Sequence, residues 1–471
     1  MENGDMTTAV AAPRQVRGPR GRGAALRLAS LLRDPLAGYL SMAAAYGDTI
    51  RVPISPKSSF FVLSRPEYAE HVLAASQDNY VKAFTYRPLR ALIGNGLLTS
   101  EGEQWRRHRR VIQPMFSRRD VRSFGPAMSG AISQLLAGWD RRPDGAVIDV
   151  AAAMSGLALD VVGRALFSTD LTGDAQQLSR AMSTGQKLAV LATFAPLSWG
   201  PRSTRALKAV AHTVGRTEGI EAPVGRLIAE RRREREPVPG RRDLLDVLMT
   251  ARFDDGTGIA GQGLTDTEIS DELATFMLAG HETSAVTLSW ALALLSAYPA
   301  ARDRLEAEVD DVLGRRAPEA ADADKLPWTT AVITETMRLY PPAWTIERDA
   351  VADDDVAGVP VPAGSTVAIP PYLVHRHPDF WPDPAGFDPG RFMPGSGDRR
   401  PALDRPRYSY IPFGGGKRAC VGQSFAELET VLALAAITSR FRLELTAAGT
   451  PKPVAAVTLR PGRLPMRLLS R

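Results

Sequence analysis

The 471-residue chain has a single cysteine, Cys420, and the residues around it are the first that could carry chemistry. They read Phe413-Gly-Gly-Gly-Lys-Arg418-Ala-Cys420-Val-Gly422. Thiolate, not thiol, is the form that attacks and ligates, and nearby cations and a helix N-terminus both favour it. Lys417 and Arg418 precede this thiol, and a segment of helical periodicity, roughly Val421 to Ser439, follows it. The spacing therefore predicts a sulfur near free N–H groups, with Gly422 leaving room for the backbone to donate. The run of glycines lets the chain turn tightly and pass close to a flat ligand. The competing reading is burial as a small apolar side chain, the usual fate of a lone cysteine. Either way, one thiol excludes an internal disulfide, and it excludes zinc modules and redox pairs built from several cysteines.

A second group lies in the clearest helix of the sequence, residues 266–298. Thr265 and Glu268 form a capping box at its start and Pro299 closes it. At ~1.5 Å per residue it is about 50 Å long. Midway stands Ala279-Gly-His-Glu-Thr-Ser284, a glycine and four polar side chains inside an apolar helix. An interior glycine costs ~1 kcal/mol and buried polar groups need partners. The run therefore predicts a groove opened for a ligand, against the alternative of a tolerated local defect. Thr283 is expected to donate to the carbonyl of Ala279 or Gly280 one turn back. Further along, Glu335-Thr-Met-Arg338 precedes Tyr340-Pro-Pro. Its spacing recurs at Glu103/Arg106 and Glu230/Arg233, and by itself usually marks a solvated helix face. In Trp105-Arg-Arg-His108-Arg109, Trp105 and Arg109 share one helix face at i,i+4.

Phe413-x-x-Gly416-x-Arg418-x-Cys420-x-Gly422 resembles the haem-binding signature of the cytochrome P-450 family, in which the cysteine thiolate is the proximal iron ligand. The other groups fall in that family's order. The run around Thr283 is similar to its oxygen-activating groove. This implies that Thr283 and Glu282 deliver protons to bound oxygen, with Glu282 linked to solvent and His281 facing away from haem. Glu335 and Arg338 match the family's Glu-x-x-Arg. Arg391, in Phe387-Asp-Pro-Gly-Arg391-Phe, matches the second arginine of its buried triad, although this segment departs from the commoner Pro-Glu-Arg-Phe form. One carboxylate shared by two guanidiniums would lock a segment without regular structure. The implied cofactor is haem b. Its propionates need cations or donors when buried, and the resemblance assigns them Trp105, Arg109, Arg348 and Arg418, with His108 beside them. Ala279, Phe413, Gly416 and Gly422 complete the cofactor-binding set.

The elements that must position these residues are read as follows. Residues 47–65 form two short strands, rich in β-branched and aromatic residues around a Pro/Lys/Ser turn. The texture is helical from about 66 to 340. From 349 to 410 it is dense in Pro, Asp, Arg and Gly, with short β pieces at Val359–Pro362 and Thr366–Ile369; so long an irregular stretch usually serves a function. The resemblance implies a mainly α fold with small β-sheets (α+β). It would be one cytochrome P-450-like domain over residues 36–471, with haem between the long helix and the helix after Cys420. Residues 1–35 are a basic leader with no matching motif.

Composition supports a folded enzyme: 44% hydrophobic and 23% charged residues are far from a disordered balance. Net charge is 58 − 52 = +6, but through Asp34 six arginines face three acids, so half of the excess sits on the leader. With no basic-plus-aromatic module the case for nucleic acid is weak, and no nucleic-acid partner is expected. No apolar run approaches the ~20 residues of a membrane span, so a cytoplasmic location without a membrane is expected.

The resemblance implies a haem-thiolate monooxygenase that uses O2 to hydroxylate, epoxidise or oxidatively couple a lipophilic small molecule in bacterial secondary metabolism. Electrons would come from ferredoxin and ferredoxin reductase in trans. The expected pocket walls include Phe194, Leu197 and Trp199, the middle of the long helix, and Trp344 in 342–347. Arg87 and Arg90 are candidates to hold a substrate carboxylate at the entrance, against the alternative of simply exposed arginines. Two alternatives stand beside this reading: a thiolate-haem sensor or carrier without monooxygenase activity, and a haem-free helical scaffold.

Overall fold

A computed structural model of the chain describes residues 16–19, 23, 34–171, 209, 221–234, 243–253, 261, 263–393, 405–446 and 451–471. Most of the leader lies outside the described residues, as do Phe194, Leu197 and Trp199. The chain divides into two compact units. The first is Met1–Ala83, Thr345–His377 and Arg407–Ala419; the second is Phe84–Trp344, Pro378–Pro406 and Cys420–Arg471.

The first unit is built on a five-stranded sheet, in the order Thr49–Pro53, Ser59–Leu63, Thr366–Ile369, Ile346–Ala350, Tyr80–Lys82. Only the second and third of these run parallel. The two strands expected in 47–65 and the one at Thr366–Ile369 are present; each carries the aromatic and β-branched residues that suit a pleated, half-buried surface. Phe61, Leu63, Val367 and Ile369 fill one core with Tyr68, Tyr408 and Ile411.

The second unit is dominated by helices. The longest, Asp266–Ala297, has the expected capping box, with Thr265 and Glu268 each bonded to the other's backbone. It packs along helix Val150–Phe167 so closely that a Cβ on Gly280 would stand 2.8 Å from Val162 Cγ2. That glycine therefore has a packing reason as well as any ligand-related one. Val150–Phe167 is long and apolar enough to cross a bilayer, but 67% of it is buried inside the protein, as in a core helix. The stretch 66–340 is not uniformly helical. Tyr80–Lys82 belongs to the first sheet, and Val147–Asp149 joins Pro465–Ser470 and Phe441–Leu445 in an antiparallel sheet. A short hairpin pairs Val454–Ala455 with Leu459–Arg460.

The irregular segment 378–393 is held by charge. Arg338, at the end of helix Pro327–Leu339, meets the fully buried Glu335 through two bonds of 2.6 and 2.8 Å. It also donates to the carbonyls of Pro384 and Gly386, at 2.8 and 2.7 Å. Arg391 Nε lies 3.4 Å from the same carboxylate, which also accepts the Asp388 N–H. The expected Glu335–Arg338–Arg391 triad is thus assembled, and its role is structural.

Candidate active site

Cys420 opens the last stretch of the second unit. Helix Gln423–Arg440 begins three residues later, with Gly422 as its N-cap. The Cys420 side chain is solvent-accessible yet closely surrounded by protein, as an atom facing a recess would be. Burial pushes its thiol above the usual range; the Gly422 N–H donated to sulfur and the charge of Arg109 oppose this, and Glu427 adds to it. The Gly422 N–H and Arg109 thus act in the sense expected from sequence, toward the thiolate, against the cost of burial. Lys417 helps little, because its ammonium lies 3.1 Å from Asp78.

On the long helix, residues 272–278 and 284–295 are buried, whereas Ala279, Gly280 and Thr283 are partly accessible. This accessible stripe halfway along a buried helix lies where the sequence predicts a groove. Thr283 Oγ1 donates to the Ala279 carbonyl at 2.7 Å, as expected, and the helix continues unbroken through it. His281 turns the other way: its Nε2 is 2.6 Å from Ser155 Oγ, and burial, aided by Arg460, lowers its pKa to about 4.

Glu282 departs from its expected link to solvent. It is buried, and its Oε1 accepts from Thr458 Oγ1 at 2.6 Å and lies 2.7 Å from Arg460 Nε. Burial raises the Glu282 pKa, and the Arg460 charge and the Thr458 bond restrain the rise. Neither partner was found from sequence. The available signal was the alternation Val457-Thr458-Leu459-Arg460, which puts Thr458 and Arg460 on one face of a strand. Ser284 donates to Glu429 in helix Gln423–Arg440, so the helices bearing Thr283 and following Cys420 are in direct contact. Glu429 is fully buried, which pushes its pKa up to about 8.

Trp105 and Arg109 lie on helix Gly102–Ile112, both partly buried. Arg109 is near enough to Cys420 for the two charges to interact. His108 is a correction. One residue from Arg109 is about 100° around a helix, and His108 faces the long helix instead. Its Nδ1 lies 2.6 Å from Glu272 and its Nε2 3.3 Å from Glu268, so both ring nitrogens are engaged by carboxylates and not held for a propionate. Burial alone would depress its pKa, but Glu272 and Glu268 outweigh it and the net shift is upward. The stability this contributes is complete below the ordinary histidine pKa and is lost as pH rises through the raised folded value. His108→Gln is expected to flatten that decline in urea-unfolding free energies measured from about pH 6 upward.

The first unit holds Arg348, Phe413, Gly416 and Arg418. Arg348 is buried on strand Ile346–Ala350 and donates to the Glu347 carbonyl at 2.8 Å. Gly416 has φ +64°, and a Cβ there would stand 1.9 Å from the Leu73 carbonyl oxygen. The chain's own packing therefore requires a glycine here. Phe413 and Arg418 are partly buried. Arg90, considered for a substrate carboxylate, donates to the Thr99 carbonyl.

A family model described as cytochrome P-450 matches residues 23–464. The chain belongs to the cytochrome P-450 family. A Mycobacterium tuberculosis protein named cytochrome P-450 132 is 38% identical over 85% of this chain and 86% of its own length. Pentalenene oxygenase of Streptomyces avermitilis is 36% identical over 94% of each chain. Cyclooctat-9-en-7-ol 5-monooxygenase of Streptomyces melanosporofaciens is 34% identical over 91% of this chain and 88% of its own. As a cytochrome P-450, this protein is a monooxygenase of mainly helical α+β fold. It binds haem b, uses O2 with electrons from redox partners, and acts on lipophilic substrates. The donor set fits that cofactor: an accessible sulfur receives a backbone N–H, a half-buried arginine is within electrostatic reach, and the long helix has an opening at Ala279 and Thr283.

Proposed function

We propose that this cytochrome P-450 oxidises a cyclic terpenoid in bacterial secondary metabolism, with Cys420 as the iron ligand and Thr283 and Glu282 as the proton-delivering pair. The accessible Ala279–Thr283 stripe in a buried helix carries the reading, because it leaves the Thr283 hydroxyl reachable beside a recess. The terpenoid class is supported by the two Streptomyces relatives named above. Electrons come from a ferredoxin and its reductase, and the protein is cytoplasmic. Trp105, Arg109, Arg348 and Arg418 would hold the haem propionates, with Ala279, Phe413, Gly416 and Gly422 against the macrocycle.

Haem b bound through sulfur supplies the binding and activation of O2. The chain's own residues manage protons. The Thr283 hydroxyl donates to the Ala279 carbonyl, which orients Oγ1 to accept a hydrogen bond; to pass a proton on, it would turn its own O–H away from that carbonyl as it takes up another. Glu282, next in the chain and raised by burial, is an acid that can hold a proton inside the protein. The apolar wall excludes bulk water: Leu278 is buried on the long helix, and Trp344 is buried with its indole N–H on the Ala456 carbonyl.

With haem-loaded protein, ferredoxin, reductase and a panel of cyclic sesquiterpenes and diterpenes, substrate-dependent consumption of reductant and O2 should accompany product. Thr283→Ala is expected to cut product by roughly 10²-fold, the ordinary worth of a positioned proton donor. A sensor or carrier would bind the same ligands spectroscopically, consume nothing, and be indifferent to that substitution.

A further inference from the structure

Glu282 is fastened to the C-terminal hairpin more completely than a proton donor open to solvent would be. Thr458 and Arg460 both reach its carboxylate. Leu459, between them, spends its backbone on other partners: its N–H donates to the Pro342 carbonyl at 3.1 Å, and its carbonyl accepts the Trp290 indole N–H at 2.8 Å. Trp290 stacks on Tyr340, with ring centroids 3.8 Å apart and planes within 3°. Trp344 donates to the Ala456 carbonyl at 2.9 Å. Residues 340–344, the hairpin and the long helix thus form a closed circuit of bonds, and one corner of it is Glu282.

We infer that Thr458 and Arg460 are positioning residues for Glu282, and that Trp344 is the point at which an occupant of the substrate side acts on them. The inference deepens the proposed function and rests on its reading of Glu282. Leu459 is bonded on both sides of its strand, so a shift of 342–344 carries Ala456 and Leu459 with it. Thr458 and Arg460 flank Leu459 and must follow. As Arg460 withdraws, the buried carboxylate loses the cation that makes its charge tolerable, and its affinity for a proton rises. Proton supply is in this way tied to what presses on Trp344.

Among the described residues, the charged group facing Glu282 from the packed elements is Arg460. His281 turns to Ser155 of helix Val150–Phe167, and Glu429 of the last helix meets Ser284. The Arg460 side chain is 29% exposed against 9% for Glu282, so the guanidinium extends from the carboxylate toward water.

The test uses the haem-loaded full chain. Difference infrared spectra, wild type minus Glu282→Gln, isolate the Glu282 carboxyl band for titration. Arg460→Gln is expected to move its midpoint up by about one pH unit or more, as loss of an adjacent opposite charge should. Thr458→Val should move it less, Arg460→Lys should largely restore it, and Trp344→Phe should move it upward while keeping the ring. Should Arg460→Gln fail to fold, Thr458→Val gives the same reading with a smaller shift. A midpoint unmoved by Arg460→Gln and Thr458→Val overturns the positioning role. One moved by these but not by Trp344→Phe overturns the link to the substrate side. If Glu282→Gln leaves product per reductant unchanged, the proton-delivery reading itself is wrong, whatever the titrations show.

Discussion

Cys420→Ala is expected to reduce monooxygenase activity to background and to abolish the red-shifted Soret band of the reduced, carbon-monoxide-bound protein. No other thiol exists in the chain to take its place. A thiolate ligand pushes electron density toward O–O cleavage, which a water or imidazole in its position would not do. The fold should survive, because the side chain is accessible and its recorded hydrogen bond is a single N–H from Gly422. Thermal unfolding should therefore change little, within about 1 kcal/mol, while the spectrum changes completely. The raised thiol pKa does not weaken the assignment, since a coordinating metal deprotonates a thiol outright. A variant that kept the shifted band would sink it.

Arg338→Met should lower unfolding free energy by about 3–5 kcal/mol, the cost of leaving one partner of a buried ion pair uncompensated. The size follows from how much depends on one guanidinium. Glu335, fully buried, would keep Arg391 at 3.4 Å, and the carbonyls of Pro384 and Gly386 would lose their donor. Urea unfolding followed by far-ultraviolet circular dichroism measures the loss; haem content of the purified variant should fall with it. Arg338→Lys should rescue little, because an ammonium cannot present the planar fork that meets the carboxylate twice. A loss under about 1 kcal/mol would show the triad to be no more than a surface-type pair.

Much of this was legible in the sequence. The Cys420 loop, the capping box at Thr265 and the pairing of Glu335 with Arg338 are local patterns, and local patterns determine local geometry. The Thr283 bond to Ala279 was legible for the same reason. His108 and Glu282 were not: their partners Glu272 and Thr458 lie 164 and 176 residues away. Periodicity tells which face a side chain occupies, not what that face will meet. The glycines at 414–416 carry a partner that the sequence could not show. Gly414 and Gly416 make the tight turn expected of the run, and Gly416 also answers to Leu73 within its own unit. In the apolar helix Val150–Phe167, Arg164 donates to Asp160 at 2.7 Å, one turn apart, so the two charges within it are paired.

The arginines of the buried triad reach segment 378–393 through main-chain oxygens. Arg338 takes the carbonyls of Pro384 and Gly386, and Arg391 those of Pro382 and Asp383. A carbonyl is the same whatever residue bears it. Residues that lend only their carbonyls, as at Pro382 and Pro384, can therefore drift through evolution or be rewritten by an engineer, whereas Asp383 (φ +44°), Gly386 and the buried Phe387 are held by their own geometry. A library randomised at Pro382, Pro384 and Ala385 should lose far fewer folded members than one randomised at Glu335 or Arg338.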